Sequence, residues 1–291
     1  IFINIFYNVA LIHFKVLEFF PFSILYRINK KNCFYFDPNC WGYSENIEKT
    51  YNILLNRDIN YKTKPQMKSY SNLITYNYDS PLIDYSRINN KKTFIINPTR
   101  SEKNWLTFSK NIAQKFLKQE TWLKKNNNRI YLLYILGGLR EIDLISGINK
   151  EANPRKMFIE TIKVLKKNKN IFVIFRPHAI TDIKDLKKLC IILNFNNYKI
   201  SYMHTSVISR FCKYTICNYF SFALADAWMA GSNVIEYTSY EKKMLETTKN
   251  KSIFPQFIDY FIDIKDKKIL KKLLDTKLNF KVRKFNYIKN N

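Results

Sequence analysis

Three short stretches of the chain combine residue types that hold phosphate. Arg176-Pro177-His178 sets an imidazole beside a fixed positive charge, and the proline between them stiffens the turn through its locked φ. An imidazole so placed can donate to a phosphate oxygen or protonate a leaving group, which makes His178 the candidate catalytic residue. Asn218-Tyr219-Phe220-Ser221 precedes a run rich in alanine. Ser221 can cap a helix there, leaving its first N–H groups pointing outwards as a ready phosphate site; the plainer reading is an N-cap with no ligand. Gly137-Gly138 could let the backbone approach a diphosphate, although neither a G-x-G-x-x-G nor a Walker lysine motif accompanies it. Glu236 closes an apolar run and could accept hydrogen bonds from a ribose, or it is simply a surface carboxylate. His204 and His13 are the other two histidines, and no pair of the three has metal-ligand spacing, so no protein-bound metal is expected.

These residues need elements to position them, and from Ile130 onward the pattern is that of alternating strands and helices. Residues 130–136 read as a strand ending at Gly137-Gly138, and 154–167 as a helix with proline near its start. A buried parallel strand over 171–175 is terminated by Arg176-Pro177-His178. Thr181 is the expected N-cap of a helix through Leu193, a short strand covers 198–201, and His204 follows it. The next strand is 214–217, Asn218 to Ser221 is the turn, 222–230 is a helix closed by Gly231, and 233–236 is a fifth strand. Five strands with intervening helices make a doubly wound half. In such sheets ligands bind outside the carboxyl ends of the strands, the edge that collects Gly137, Gly138, Arg176, His178, His204, Asn218, Ser221 and Glu236.

The first ~125 residues read as α/β with irregular alternation. Trp105, Phe108, Ile112, Phe116 and Trp122 mark a helix over 104–124, and the polar run from Lys124 to Asn128 places a domain boundary near 128. The expected division is therefore 1–128, 129–262, and a basic tail over 263–291 that could rest its apolar side on an anionic membrane. A solvated lysine face on a closing helix is the competing reading of that tail.

Composition bounds the function. The chain carries 49 Lys and Arg against 23 Asp and Glu, a net charge of +26, with 46% hydrophobic and 16% aromatic residues. That excludes an acidic solvating protein and a disordered one. Lys, Asn, Ile, Tyr and Phe all have AT-rich codons, so much of the basicity has a genomic explanation; a basic nucleic-acid-binding protein, suggested by the charge and the many aromatics, is the alternative from a different class, but the lysines are scattered and no nucleic-acid motif is present, so no nucleic-acid partner is expected. Five cysteines without a C-x-x-C pair fit a reducing cytoplasm rather than a disulfide scaffold. The most apolar stretch, 1–26, is interrupted by polar residues and does not read as a membrane span; because it opens at Ile1, the N-terminal domain is expected to lack its natural start.

The stretches Val173-Ile174-Phe175-Arg176-Pro177-His178 and Cys217 through Tyr237 resemble the C-terminal, nucleotide-binding half of GT-B glycosyltransferases of bacterial surface and capsular polysaccharide synthesis. The resemblance covers about residues 130–260. In related enzymes a His-Pro-type turn and a Ser/Thr-Ser turn hold the donor phosphate; here the order is Pro177-His178, similar to the CDP-glycerol glycerophosphotransferases, and Ser221 stands alone after Phe220. The resemblance implies two Rossmann-like domains, a nucleotide-sugar donor as substrate with no other cofactor, and a glycan or lipid-linked acceptor. It also implies metal-free catalysis in which His178, Ser221 and Arg176 or Arg140 neutralise the leaving phosphate. Gly137, Gly138, His204, Asn218, Phe222 and Glu236 complete the implied donor site. The general base would come from the N-terminal half, where Asp37 and Glu45 near Gly42 are the candidates. Polyol-phosphate transferases and nucleotide-sugar 2-epimerases share the architecture, so fold analogy leaves them open.

Overall fold

A computed structural model of the chain describes residues 11–13, 24, 27, 30–36, 71–76, 81–123, 129–140, 148, 149, 151–276 and 278–283. The chain divides into two compact units, the first running up to Glu102 and the second beginning at Lys103. Each is built on a parallel sheet, so the fold class is α/β.

In the first unit, β1 (Leu11–His13), β2 (Cys33–Phe36), β3 (Asn72–Thr75) and β4 (Lys92–Ile95) lie side by side in that order, all parallel. Alternation along β2 buries Cys33 and Tyr35, and Leu73 of β3 joins them. Asn72 is also buried, and its amide donates to the carbonyls of Lys31 and Cys33. Helix α1 (Pro81–Ile88) sits between β3 and β4 in the chain.

The second unit opens with α2 (Lys103–Gln119) and carries six parallel strands. They are β5 (Ile130–Ile135), β6 (Ile171–Arg176), β7 (Tyr198–Ile200), β8 (Tyr214–Cys217), β9 (Asn233–Thr238) and β10 (Tyr260–Asp263). Their spatial order is β10-β9-β8-β5-β6-β7. The chain thus winds outward from β5 through β6 and β7, returns, and winds the other way through β8, β9 and β10: the Rossmann order, with its switch point between β5 and β8. The central strands are near-continuous apolar runs because helices cover both faces. On one face Leu133, Ile135, Ile174 and Val234 pack with Leu224 and Ala227. On the other, Tyr134, Phe158 and Phe175 cluster with ring centroids 5.7–5.8 Å apart.

The connecting helices are α3 (Pro154–Leu165), α4 (Ile183–Ile192), α5 (Thr205–Ile208), α6 (Phe222–Met229), α7 (Lys242–Thr248) and α8 (Lys267–Asp275). Local chemistry sets their starts: Asn153 caps α3 ahead of Pro154, and Asp182 caps α4 by accepting from the N–H groups of Lys184 and Asp185. After α6 the chain turns at Gly231, whose φ of +93° and contact with the Lys281 carbonyl oxygen leave no room for a side chain.

Four expectations change. The boundary lies at 102/103 rather than 128, because α2 belongs to the second unit: the Arg210 guanidinium donates to the Leu106 carbonyl at 3.2 Å and the Ser109 hydroxyl at 3.0 Å. The second sheet has six strands, not five. The cap of α4 is Asp182, since Thr181 is used elsewhere. The basic tail is no separate element either. Leu270 and Leu274 bury the apolar side of α8, the Tyr214 hydroxyl donates to the Leu273 carbonyl, and Lys281 donates to the Gly231 carbonyl at 2.9 Å. Leu270 and Leu274, part of the apolar side expected to meet a membrane, are thereby packed in the core, while Ile269 and Phe280 stay exposed among the lysines. Among the described residues no helix is long and apolar enough to cross a membrane.

Candidate phosphate-binding edge

All six strands of the second sheet are parallel, so their carboxyl ends share one edge, and the ends of β5 and β8 flank the switch point. The turn leaving β8 delivers Ser221 as the N-cap of α6, with extended backbone (φ −140°, ψ 141°) and its hydroxyl accepting from the Ala223 N–H at 3.3 Å. The Leu224 N–H closes the first turn onto the Ser221 carbonyl at 2.8 Å. Among the described residues the N–H groups of Ser221 and Phe222 make no hydrogen bond, so two donors and the positive end of the helix dipole face outward.

On the far side of the switch point β6 ends at Arg176, Pro177 is buried, and His178 is exposed. Thr181 fixes this loop: its hydroxyl accepts from the His178 N–H at 2.9 Å and donates to the Gly137 carbonyl at 2.6 Å, tying the end of β6 to the end of β5. The ring Nδ1 of His178 accepts from the Ile180 N–H at 3.3 Å. That bond makes Nε2 the protonated nitrogen of the neutral ring, so the exposed atom is a donor. Arg176 is half-buried, and its Nε donates to the Met203 carbonyl at 3.2 Å, bracing β6 against the segment after β7. Arg140 is exposed in the bend after Leu139.

Other expected ligand contacts turn inward. Asn218 is buried; its Oδ1 accepts from the Tyr134 hydroxyl, and its Nδ2 donates to the Thr161 hydroxyl at 2.9 Å and the Tyr237 carbonyl at 2.7 Å. Burial pushes Tyr134 well above the usual phenol range and keeps it a donor. This network consumes both amide protons of Asn218 and joins β5, β8, β9 and α3, so the side chain is a strut rather than a ligand contact. His204 caps α5, its Nδ1 accepting from the Ser206 N–H at 3.2 Å, while its ring stands edge-on to Trp105 and its Nε2 lies 4.0 Å from Asp226 Oδ2. It too is engaged by the fold rather than presented to a ligand.

Gly137 is bare for a different reason from the one expected. The Tyr219 hydroxyl occupies the space where a Cβ would stand, so the notch serves an internal phenol and not an approaching diphosphate. Only a gap of about 10 Å³ remains beside Gly137, Gly138, Pro154, Asn218 and Tyr219. Phe222 packs within an aromatic group in which Phe220 stacks on Phe254 at 3.9 Å and Phe222 lies 5.3 Å from Phe254.

Glu236 is the largest correction. β9 runs on to Thr238, which places Glu236 inside the strand, opposite Cys217 and fully buried, so it is neither a strand-end ribose acceptor nor a surface carboxylate. One carboxylate oxygen accepts from the Tyr240 hydroxyl. Burial pushes the acid up to about 7, an effect moderated by the Ser252 hydroxyl, Tyr240 and the Phe220 N–H.

Sequence reading missed Thr181 as a clamp, Tyr219 as the filler of the Gly137 notch, and Tyr240 as the partner of Glu236. A hydroxyl two residues after Pro177-His178-Ala179 carries no spacing signal, and the others act across loops. Asp37, Gly42 and Glu45 lie outside the described residues. Among the described residues no three His, Cys, Asp or Glu side chains are grouped to hold a metal ion.

Among solved structures, the glycotransferase of kitacinnamycin is similar at 8% identity and a TM-score of 0.39, over 86% of this chain and 83% of that one. The wall teichoic acid polymerase TagF is similar at 13% identity and a TM-score of 0.39, over 72% of this chain and 50% of that one, so the chain spans half the polymerase's length. No family model and no curated protein sequence matches.

Proposed function

We propose that the protein is a glycosyltransferase that moves a sugar from a nucleotide-activated donor to a surface polysaccharide or a lipid-linked glycan. The observation that carries this reading is the pairing, across a Rossmann switch point, of unbonded N–H groups at the start of α6 with an exposed His178 Nε2–H. When the bond from sugar to phosphate breaks, negative charge accumulates on the leaving phosphate. Fixed donors and a helix dipole aimed at it stabilise that charge more than they stabilise the bound donor. His178 donates to the leaving oxygen, Ser221 and Phe222 hold the phosphate, and Arg140 and Arg176 add positive field; these protein groups meet the leaving charge without a metal. The acceptor and its general base are assigned to the first unit. In this reading the protein works in the cytoplasm, at the inner face of the membrane when the acceptor is lipid-linked.

The order Pro177-His178 favours one second reading, transfer of a polyol phosphate from a CDP-linked donor. A thermal-shift screen against CMP, CDP, UDP, GDP and ADP tests both. A ligand at 100 times its dissociation constant stabilises by about 2.7 kcal/mol. A shift selective for one base supports the nucleotide site and names the donor class, with CDP alone pointing to the second reading. A folded sample that responds to none of the five overturns both.

A further inference from the structure

Helix α4 buries Leu186, Leu189 and Cys190 against the sheet. The helical repeat then turns Lys184, Lys187, Lys188 and Ile191 outward together, and all four are exposed. Ile192 stands beside them, so the last turn of α4 holds two aliphatic side chains in water, Ile191 at 71% and Ile192 at 63% exposure. Ile192 also borders a groove of about 630 Å³ between the ends of α3 and α4, where it is joined by Lys163, Lys166, Lys167, Leu193 and, from α8, Lys267. The acids of this face are already engaged. Glu160 is shared by Lys163 and Lys267, Asp185 pairs with Arg155 at 2.9 Å, and Asp182 caps α4. Within the groove Lys166 donates to the Leu193 carbonyl at 2.9 Å. The result is a strongly basic surface with exposed isoleucines set among the lysines.

What covers such a face must take lysines and aliphatic side chains together. A free phosphate or a polyphosphate answers the ammonium groups and leaves Ile191 and Ile192 in water. The groove also lies at the carboxyl ends of α3 and α4, where the helix dipoles are negative, so it is a poor seat for one tightly held anion. A single-stranded nucleic acid needs aromatic platforms, and no aromatic side chain lines the groove. An anionic bilayer suits both kinds of residue: its surface potential attracts the lysines, and aliphatic side chains enter the boundary between headgroups and acyl chains. We infer that the outer face of α3 and α4 docks the protein on an anionic lipid bilayer, with the lysines among the headgroups and Ile191 and Ile192 reaching below them. These helices cover one face of the sheet, so docking through them lays the strands along the bilayer and leaves the phosphate-binding edge facing sideways across its surface. The inference deepens the glycosyltransferase reading and rests on it only for the lipid-linked acceptor that gives the contact its purpose.

Co-sedimentation of the full chain with vesicles tests it, using phosphatidylcholine alone and an equal mixture of phosphatidylcholine and phosphatidylglycerol. Three variants are compared with the wild type. One replaces Lys184, Lys187 and Lys188 by Gln; the second carries Ile191→Ser and Ile192→Ser; the third removes the same charge from α2, on the other face of the sheet, by replacing the exposed Lys103, Lys110 and Lys115 by Gln. A lysine near an anionic surface strengthens binding about fivefold. The wild type is expected to bind the mixed vesicles and not phosphatidylcholine alone, the α4 lysine variant and the isoleucine variant each to bind at least about tenfold more weakly, and the α2 variant to stay within about threefold of the wild type. All six lysines and both isoleucines are exposed, so thermal unfolding should not change. A wild type that ignores the mixed vesicles overturns the inference. So does an α2 variant weakened as much as the α4 lysine variant, since net charge and not this face would then be at work. Weakening by the lysine change without any by the isoleucine change also overturns it, and makes the face a polyanion site that inorganic polyphosphate should occupy. The nucleotide screen runs separately on the same wild-type sample. Vesicle binding without a nucleotide shift keeps the docking face and removes the transferase reading, whereas a nucleotide shift without vesicle binding removes the docking face and keeps the transferase.

Discussion

The titration of Glu236 gives the sharpest quantitative prediction, because the group is fully buried and no cation among the described residues acts on its charge. Its acid is raised from an ordinary 4.5 to about 7 in the folded chain, with burial the leading cause. Between those values the native state holds a proton that the unfolded state has lost, so stability falls as pH rises and levels off above 7. At 1.36 kcal/mol for each unit between the two values, the full loss is about 3.4 kcal/mol, of which about 2.5 kcal/mol falls between pH 5 and pH 8. Glu236→Gln resembles the protonated acid and removes this titration while leaving every other group in place. Urea unfolding at pH 5, 6, 7 and 8 measures it, followed by tryptophan fluorescence, since Trp105, Trp122 and Trp228 lie in the second unit. The variant should gain on the wild type by about 2.5 kcal/mol from the acid end of the series to the alkaline end. A difference between the two proteins that stays constant across the series would refute the burial argument, whatever the absolute stabilities.

His178→Ala and Ser221→Ala should each weaken nucleotide binding about tenfold by calorimetry with the fold intact; unchanged affinity in both would remove the phosphate-site assignment. Gly137→Ala drives a methyl group into the Tyr219 hydroxyl and should cost about 1–3 kcal/mol, a cost that Tyr219→Ala relieves because it vacates the same space. Strict additivity of those two changes in a double-mutant cycle would show that the phenol does not fill the notch. Gly231→Ala combines a left-handed backbone with an approach of 2.6 Å to the Lys281 carbonyl oxygen and should lower stability by about 1–3 kcal/mol in thermal unfolding.

What could be read from the sequence was whatever is written locally. β5, β6 and β8 are apolar runs cut off by glycine, proline or asparagine, and α6 announces itself by a serine before it and a glycine after it, so these elements were legible. β10 escaped because Tyr-Phe-Ile-Asp is a half-buried edge strand ending in a carboxylate, with neither a long apolar run nor clean alternation. β9 was cut short at Glu236 because a charged residue reads as a strand end, and only the fold reveals that it is buried with the Tyr240 hydroxyl bonded to it. The domain boundary was misplaced for a related reason. Lys124 to Asn128 has the composition of a linker, whereas the attachment of α2 depends on Arg210, more than a hundred positions from Leu106 and Ser109. Within the site the same division holds: the cap of Ser221 lies two residues away, but the partner of Asn218 is Tyr134, 84 positions earlier.

That division gives the turn after β8 its logic, since its four residues act in four directions. Asn218 points down into the network beneath the sheet edge, Tyr219 crosses to Gly137, Phe220 stacks on Phe254, and Ser221 caps α6. Three of the four are anchored, and the fourth is where the chain leaves donors unused. Substitutions along the turn should therefore separate by direction. Asn218→Ala strands the Tyr134 hydroxyl and takes a donor from the Tyr237 carbonyl and from the Thr161 hydroxyl, which keeps its own bond to the Met157 carbonyl, and should cost about 2–4 kcal/mol of stability, taking nucleotide affinity down only as the turn loosens. Ser221→Gly keeps a residue tolerated at an N-cap and should cost only a few tenths of a kcal/mol while removing a hydroxyl from the phosphate. Chemical denaturation and calorimetry on the same two proteins decide it. If Ser221→Gly proves the more destabilising of the pair, or Asn218→Ala binds nucleotide poorly at full stability, the roles assigned to the two ends of the turn are reversed and the phosphate belongs at its other end.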